Sequence, residues 1–254
     1  MSIGIYVKHY VHFPSPSQEV GLNLPTGSPT VHRIARGIFL AIHLVGMSEL
    51  SRQITKAALS GFNRLLCRLI LHVKAPSPSP LPESGPVILV CNHTSVNDGM
   101  VLMATAGRPI CFFIARERYI HPILNWVFRL FEFIPVSRGG QDIGAVRATL
   151  RALSAGKVVG IFPEGGIDEH RDEEGHRGVG YLSVKSGAPV IPATIIWDKP
   201  RPMNLLQALL VPGHAVVRYG PALTISSRSR PTGELVHTAT STIMRAIREL
   251  RTSH

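Results

Sequence analysis

Short apolar runs alternate with amphipathic stretches along the chain from residue 87 to its end. Six of these short apolar runs are typical of buried strands: 87–91, 110–115, 133–136, 158–162, 190–196 and 215–219. Helical spacing of apolar residues predicts helices between or after them: 98–106, 119–131, 142–154, 178–187 and 232–251. We therefore predict an α/β domain over residues 87–254, with a mainly parallel central sheet flanked by helices.

The residues before this domain have a different texture. Residues 1–30 carry four prolines among serine, threonine and glycine, which predicts an irregular segment. Two helical patterns follow at 31–49 and 52–73, and we treat residues 31–74 as one helical, membrane-associating segment. Residues 75–86 carry five prolines. Proline at that density sustains neither a helix nor a central strand, so this stretch is predicted to be a linker.

The second helical pattern is amphipathic, and two interpretations of it are open. Its polar positions share one face: Lys56, Asn63, Arg64 and Arg68. Its apolar positions share the other: Leu59, Phe62, Leu65, Leu66, Leu69, Ile70 and Val73. Such a helix either packs on the domain core or lies in the membrane interface with its arginines at the headgroups. The apolar stretch at 38–47 is shorter than the about 20 residues that a spanning helix needs, which favours the interfacial position.

The composition indicates an anionic partner. The formal net charge is +11, which suits phospholipid, nucleic acid, a phosphorylated substrate or an acidic carrier protein. Nucleic acid is disfavoured because the basic residues are scattered through apolar segments and no zinc-finger or RNP-type motif is present. Hydrophobic residues make up 44% and charged residues 17% of the chain, which fits a protein that rests on lipid. Three cysteines without metal-like spacing, and an opening without a signal-peptide pattern, favour the cytoplasmic face of the membrane.

Asn92, His93 and Asp98 follow the first predicted strand, at the edge of the sheet where parallel α/β domains place their ligands. Residues five apart lie about 140° apart around a helix, so the histidine and the aspartate would not meet within one. They meet if His93 sits in the turn and Thr94 or Ser95 caps the helix that carries Asp98. The carboxylate would then fix the imidazole tautomer and make the other nitrogen a proton acceptor. The same spacing also arises where a histidine only satisfies a turn.

A second turn follows the predicted strand at 158–162. It contains Glu164, Gly165 and Gly166. Backbone N–H groups in such a turn can point at an anion or at the oxyanion of an acyl-transfer intermediate. Turns of this composition are also common as purely structural elements.

With both segments in this order, the sequence resembles the glycerolipid acyltransferases, the lysophosphatidate acyltransferase family. Four blocks of that family have counterparts over roughly residues 86–200. The first block is matched by Asn92, His93 and Asp98, the second by Arg116 and Arg138, the third by Phe162, Pro163, Glu164 and Gly165, and the fourth by Val190, Ile191 and Pro192.

The resemblance implies an enzyme that moves a fatty acyl group from acyl-CoA or acyl-carrier protein to the free hydroxyl of a lysophosphatidate-type acceptor in phospholipid synthesis. His93 would be the general base and Asp98 the carboxylate that orients it. The implied substrate-binding residues are Asn92, Arg116, Arg138, Glu164, Gly165 and Gly166. No cofactor and no metal ion are expected, and the implied partners are the thioester donor, a lysophospholipid and an anionic membrane surface.

The third block departs from the family pattern. Where the family usually has Thr-Arg-Ser, this chain has Gly166, Ile167 and Asp168, and acidic residues continue to position 174. An acidic stretch beside a phosphate site would repel the substrate. Another basic residue therefore replaces the lost arginine, or the acceptor is not a simple lysophosphatidate. The candidate replacements are Arg171, Arg177 and Lys185.

Alternatives to this function follow from the same departure. Within the class, the acceptor would be another lysophospholipid, glycerol 3-phosphate or a lyso-ornithine lipid. From another class, the chain would be a catalytically silent relative that only binds lipid. A serine hydrolase is disfavoured because no Gly-x-Ser-x-Gly elbow surrounds Ser95, and a metal-dependent hydrolase because no dense cluster of ligand residues occurs.

Overall fold

The structure is a computed structural model that divides into two units, Met1–Ser48 and Glu49–His254. The ranges that it describes all lie in the second unit: 49–77, 79–120, 124–137, 142–163, 177–202, 205–226 and 230–252. The predicted irregular segment at 1–30 and nearly all of the predicted helix at 31–49 lie outside these ranges.

A six-stranded sheet forms the centre of the described unit. Its strands are β1 Val87–Cys91, β2 Ile110–Ala115, β3 Ile134–Val136, β4 Val158–Ile161, β5 Val190–Trp197 and β6 Ala215–Tyr219. They lie in the order β3-β2-β4-β1-β5-β6. Neighbouring strands are parallel, except that β6 runs antiparallel to β5. The predicted α/β class with a mainly parallel sheet is thereby confirmed.

Helices surround this sheet in the described part of the chain: α1 Glu49–Leu69, α2 Asp98–Thr105, α3 Arg116–Tyr119, α4 Asn125–Leu130, α5 Ile143–Ser154, α6 Arg177–Ser186, α7 Leu205–Leu210 and α8 Gly233–Thr252. The predictions for α2, α5, α6 and α8 agree with these bounds to within one residue. Helix α7 was not predicted. The pattern at 119–131 was predicted as one helix, but α3 ends at Tyr119, the first residue of that range, and α4 covers only Asn125–Leu130. The structure does not describe residues 121–123, which lie between them.

The strands are apolar on both faces because helices cover both sides of the sheet. Leu89 of β1 packs with Leu71, which follows α1, and with Leu102 of α2. Ile88 and Val90 point to the opposite side, where α5, α6 and α8 supply the packing residues Leu153, Leu182 and Ile243. Strand β1 therefore lies at the centre of the fold, and the residues that directly follow it have little freedom to move.

Helix α1 belongs to the folded unit rather than to a segment separated from it by a linker. Cys67 is 2% exposed, and the Asn63 Nδ2 donates to the carbonyl oxygen of Met100 at 2.9 Å. Lys56 reaches Glu132, at 3.5 Å. Lys56 and Asn63, which were predicted to share the polar face of this helix, thus contact the domain. The unit that contains α1 begins at residue 49.

The outward face of α1 is apolar and exposed. Five large side chains on it are between 53% and 68% exposed: Leu50, Ile54, Phe62, Leu65 and Leu69. Some apolar residues of this helix therefore pack in the core and others lie on the surface. The helical-wheel pattern alone could not show which residues do which. Within the described ranges, every helix is too short or too polar to cross a membrane.

Candidate active site

The candidate site lies at the carboxyl edge of the sheet, where three strands end. His93 follows β1 by two residues, and Phe162 directly follows β4, the neighbour of β1. The two rings stack, with centroids 4.1 Å apart and an interplanar angle of 18°. Trp197, the last residue of β5, ends the strand on the other side of β1. The parallel sheet thus brings together residues that are far apart in the sequence.

Asp98 opens α2 and is completely buried, with four hydrogen-bond donors around its carboxylate. Its Oδ2 accepts from the His93 Nδ1 at 3.1 Å and from the backbone N–H groups of Thr94 and Ser95, both at 2.7 Å. Its Oδ1 accepts from the Trp197 Nε1 at 2.9 Å. A buried carboxylate needs such partners, because an unpaired charge away from water costs several kcal/mol.

The loop before α2 reaches this geometry by a different route from the predicted cap. Neither Thr94 nor Ser95 caps the helix. The N-cap residue is Asn97, and its side chain makes no capping hydrogen bond. Instead the Asp98 carboxylate turns back onto the loop, while its own N–H donates to the carbonyl oxygen of Ser95 at 3.1 Å. This loop geometry still brings His93 into the predicted contact with Asp98.

This contact assigns the two nitrogens of His93 different roles. With Nδ1 donating to the carboxylate, the neutral ring carries its lone pair on Nε2, which is then the basic nitrogen. The His93 side chain is 19% exposed, whereas the Asp98 side chain is at 0%. A substrate can therefore reach His93 but not Asp98, and the carboxylate can act only through the imidazole.

Asn92, the residue directly before His93, is bonded to β5 through its side chain. Its Nδ2 donates to the carbonyl oxygen of Ile195 at 3.0 Å, and its Oδ1 accepts from the Ile195 N–H at 2.8 Å and from the Thr194 hydroxyl at 3.1 Å. The side-chain amide extends the β1–β5 ladder past the end of β1. In the structure its partners are thus parts of the fold, and the predicted substrate contact of Asn92 stays a prediction.

An aromatic stack supports His93 from the side of β4. Phe162 lies between His93 and Phe112, with the two phenyl centroids 5.5 Å apart and nearly parallel planes. Gly160 makes room for this stack, since a Cβ there would lie 2.3 Å from Phe112 Cε1 and 2.7 Å from Ile110 Cγ2. The glycine two residues before Phe162 is therefore a packing requirement of the site, which the sequence pattern did not reveal.

Arg116 follows β2 at the same edge of the sheet. Its Nε donates to the Ser137 hydroxyl at 3.1 Å, and its Nη2 lies 3.8 Å from Asp142 Oδ2. The backbone N–H groups of Ala145 and Ser137 lower the pKa of Asp142, so the carboxylate beside the guanidinium is ionised at neutral pH. Strand β4 separates β2 from β1, which puts Arg116 about 10 Å from the strand of His93 at ordinary strand spacing.

The other predicted site residues lie outside the described ranges: Arg138, Glu164, Gly165 and Gly166. Trp197 is a site residue that was not predicted. Its position directly after the predicted strand at 190–196 was the available signal, because that places it at the same edge as His93. In the described part of the chain, no group of three or more His, Cys, Asp or Glu residues could hold a metal ion.

About half of the chain matches a model of a known protein family. Residues 72–196 match the family model described as Acyltransferase, a segment that includes both His93 and Asp98. This segment, just under half of the chain, is similar to the acyltransferase family.

The chain is also similar to two individual acyltransferases. It is 23% identical over 122 residues to the 1-acyl-sn-glycerol-3-phosphate acyltransferase of Bacillus subtilis (strain 168), a match that covers 48% of this chain and 61% of that protein. The crystal structure of PlsC, the 1-acyl-sn-glycerophosphate (LPA) acyltransferase from Thermotoga maritima, superposes with a TM-score of 0.61 at 20% identity. This superposition covers 89% of this chain and 92% of that one, and it supports the fold.

Proposed function

We propose that the chain is an O-acyltransferase that moves a fatty acyl group from acyl-CoA or acyl-carrier protein to the hydroxyl of a lysophosphatidate-type acceptor. The observation that carries the proposal is the contact between His93 and the fully buried Asp98, because it makes Nε2 of an accessible imidazole a proton acceptor. The family of residues 72–196 and the names of the two relatives support the reaction class and the acceptor type.

The proposed reaction uses His93 first as a base and then as an acid. Its Nε2 takes the proton of the acceptor hydroxyl as the oxygen attacks the thioester carbonyl carbon. Asp98 stabilises the imidazolium that forms. The tetrahedral intermediate then collapses, the C–S bond breaks, and the imidazolium returns the proton to the leaving thiolate. The products are the ester and the free thiol, so no cofactor is consumed.

The binding roles belong to the same proposal. Backbone N–H groups of the turn at Glu164, Gly165 and Gly166 would stabilise the oxyanion, since this turn begins two residues after Phe162, which stacks on His93. Arg116 and Arg138 would bind the phosphate of the acceptor. Guanidinium groups suit phosphate oxygens because they donate two parallel hydrogen bonds.

An assay of thioester consumption by the purified protein tests the proposal. The donors would be acyl-CoA and acyl-carrier protein, and the acceptors lysophosphatidate, other lysophospholipids, glycerol 3-phosphate and a lyso-ornithine lipid. Formation of phosphatidate from lysophosphatidate supports it. Transfer only to another acceptor would correct the substrate, and the absence of transfer to every acceptor would leave a silent lipid-binding relative.

Replacing Arg116 by alanine is expected to reduce kcat/KM for a phosphate-bearing acceptor about ten- to a hundredfold, since a charge-assisted hydrogen bond contributes about 1.5–3 kcal/mol. The loss should be far smaller with an uncharged acceptor. Arg138→Ala should behave in the same way. Arg118→Ala is the matched control, because Arg118 is exposed on the same short helix as Arg116. Equal losses with both acceptors, or none, would contradict the headgroup assignment.

Membrane association forms the last part of the proposal. The outward face of α1 presents Leu50, Ile54 and Phe62, and exposed arginines such as Arg64 and Arg68 lie near its carboxyl end. An amphipathic helix with arginines suits an interface with anionic lipid. The protein would thus lie on the cytoplasmic face of the membrane, where a lipid acceptor is available.

High salt or alkaline carbonate is expected to release much of the protein from membranes, because an interfacial helix is held by charge and by partly buried apolar area. Phe62→Glu should weaken binding to anionic vesicles in a flotation assay. Glu234→Gln, at an exposed position on α8, is the control. Full retention in the bilayer after carbonate washing would indicate an embedded anchor and would contradict the interfacial arrangement.

A further inference from the structure

Trp197 stands one residue beyond the segment that matches the acyltransferase family, yet it contacts the centre of the candidate site. Its indole N–H donates to Asp98 Oδ1 at 2.9 Å. The other oxygen of that carboxylate holds His93 and the two loop N–H groups. The two carboxylate oxygens are thus divided between two tasks, and Trp197 supplies the side-chain donor on the face away from the imidazole.

The indole itself is held in place from behind. The guanidinium carbon of Arg201 lies 4.9 Å from the ring centroid, and the Arg201 Nη2 donates to the carbonyl oxygens of Ala208 and Val211 at 2.8 and 2.6 Å. The Ala208 carbonyl oxygen also accepts from the Asn97 Nδ2 at 2.8 Å. Since Asn97 directly precedes Asp98, these contacts form a closed ring that fixes the indole relative to the carboxylate.

We propose that Trp197 is a positioning residue that holds the Asp98 carboxylate so that its Oδ2 points at the His93 Nδ1. A carboxylate rotates about its Cβ–Cγ bond, and a buried Oδ1 without a donor would turn toward any other polar group. With the indole N–H donating to Oδ1 and the other three donors to Oδ2, hydrogen bonds at both oxygens fix the plane of the carboxylate. This role rests on the proposed function, in which Asp98 acts only through the imidazole.

The test compares Trp197→Phe with Trp126→Phe. The chain has two tryptophans, and the second, Trp126, is 38% exposed, so the pair removes the same N–H at a half-buried position, where it donates to Asp98, and at an exposed one. Phenylalanine keeps an aromatic ring for Arg201 but removes the donor, together with some ring volume. We expect Trp197→Phe to lower kcat about tenfold with KM changed less than about twofold, and Trp126→Phe to change neither.

Proton NMR separates this role from simple packing and from the proposed function. In the unmodified protein, the indole N–H of Trp197 should exchange with solvent far more slowly than that of Trp126, and its signal should move in Asp98→Asn. The downfield signal of the His93 Nδ1–H should be lost or broadened in Trp197→Phe and kept in Trp126→Phe.

Either of two NMR results would overturn the proposal. One is an indole N–H of Trp197 that exchanges as fast as that of Trp126 in the unmodified protein, a result that needs no variant to fold. The other is a His93 signal unchanged in Trp197→Phe. Both results are independent of turnover, so the absence of acyl transfer in the unmodified enzyme would refute the proposed function alone.

Discussion

Replacing His93 by alanine is expected to lower the rate of acyl transfer by at least about a hundredfold, and by up to about ten-thousandfold. The acceptor hydroxyl is a poor nucleophile unless a base removes its proton during attack, and in the proposed reaction that base is the partly exposed imidazole that contacts Asp98. The fold should remain, because the His93 ring lies at the open end of the aromatic stack on Phe162. The measurement is kcat with a saturating acceptor, together with Tm.

His214→Ala is the matched control for this variant. His214 also donates from Nδ1 to an aspartate, Asp198, at 3.2 Å, but its side chain is 64% exposed and pairs outside the candidate site. It should keep nearly the full rate. Transfer at nearly the unmodified rate by a folded His93→Ala protein would show that the imidazole is not the base.

Asp98→Asn is expected to lower kcat by about a thousandfold or more, while KM for the acceptor changes less than about threefold. The carboxylate is completely buried, so in the proposed reaction it would orient the base and would make no substrate contact. Asparagine has nearly the same size but replaces one acceptor oxygen with a donor. That NH₂ group would face either the Trp197 N–H or the loop N–H groups, and one set of donors would lose its acceptor.

The same substitution should also lower the free energy of unfolding by about 2 kcal/mol or more, because buried donors without partners are costly. Asp198→Asn is the control, since Asp198 is paired with a histidine at the surface. Denaturant titration measures the stability, and steady-state kinetics separate kcat from KM. An effect confined to apparent acceptor affinity would give Asp98 a binding role instead.

The sequence was sufficient to predict where the site would form. Continuous apolar runs predict buried parallel strands, and the residues after them must lie at one edge of the sheet. The meeting of His93 with Asp98 was expected only if Thr94 or Ser95 capped the helix, and it is reached instead by a loop in which Asn97 is the N-cap residue. The partner of the other carboxylate oxygen, Trp197, did not, because a contact between side chains that are 99 positions apart depends on which strands are neighbours.

Periodicity was also insufficient for α1 and for the stretch at 119–131. A helical wheel shows that a face is apolar but not what covers it, so the contacts of Lys56 with Glu132 and of Asn63 with the Met100 carbonyl oxygen could not be predicted. The 119–131 pattern keeps helical spacing across Pro122, whose ring removes a backbone donor, and the structure has separate helices on its two sides.

The strand order has a consequence for how the chain is made. Strand β1 ends at Cys91, but its neighbours β4 and β5 begin only at Val158 and Val190. During synthesis from the amino terminus, at about 5–20 residues per second, this strand, whose five residues are all buried in the folded unit, therefore waits for seconds before its partners emerge. Non-local pairing of this kind forms slowly and invites association between unfinished chains. The strand order that places His93 at the centre of the sheet thus leaves the five-residue apolar segment β1 in need of protection from association while the chain is being synthesised.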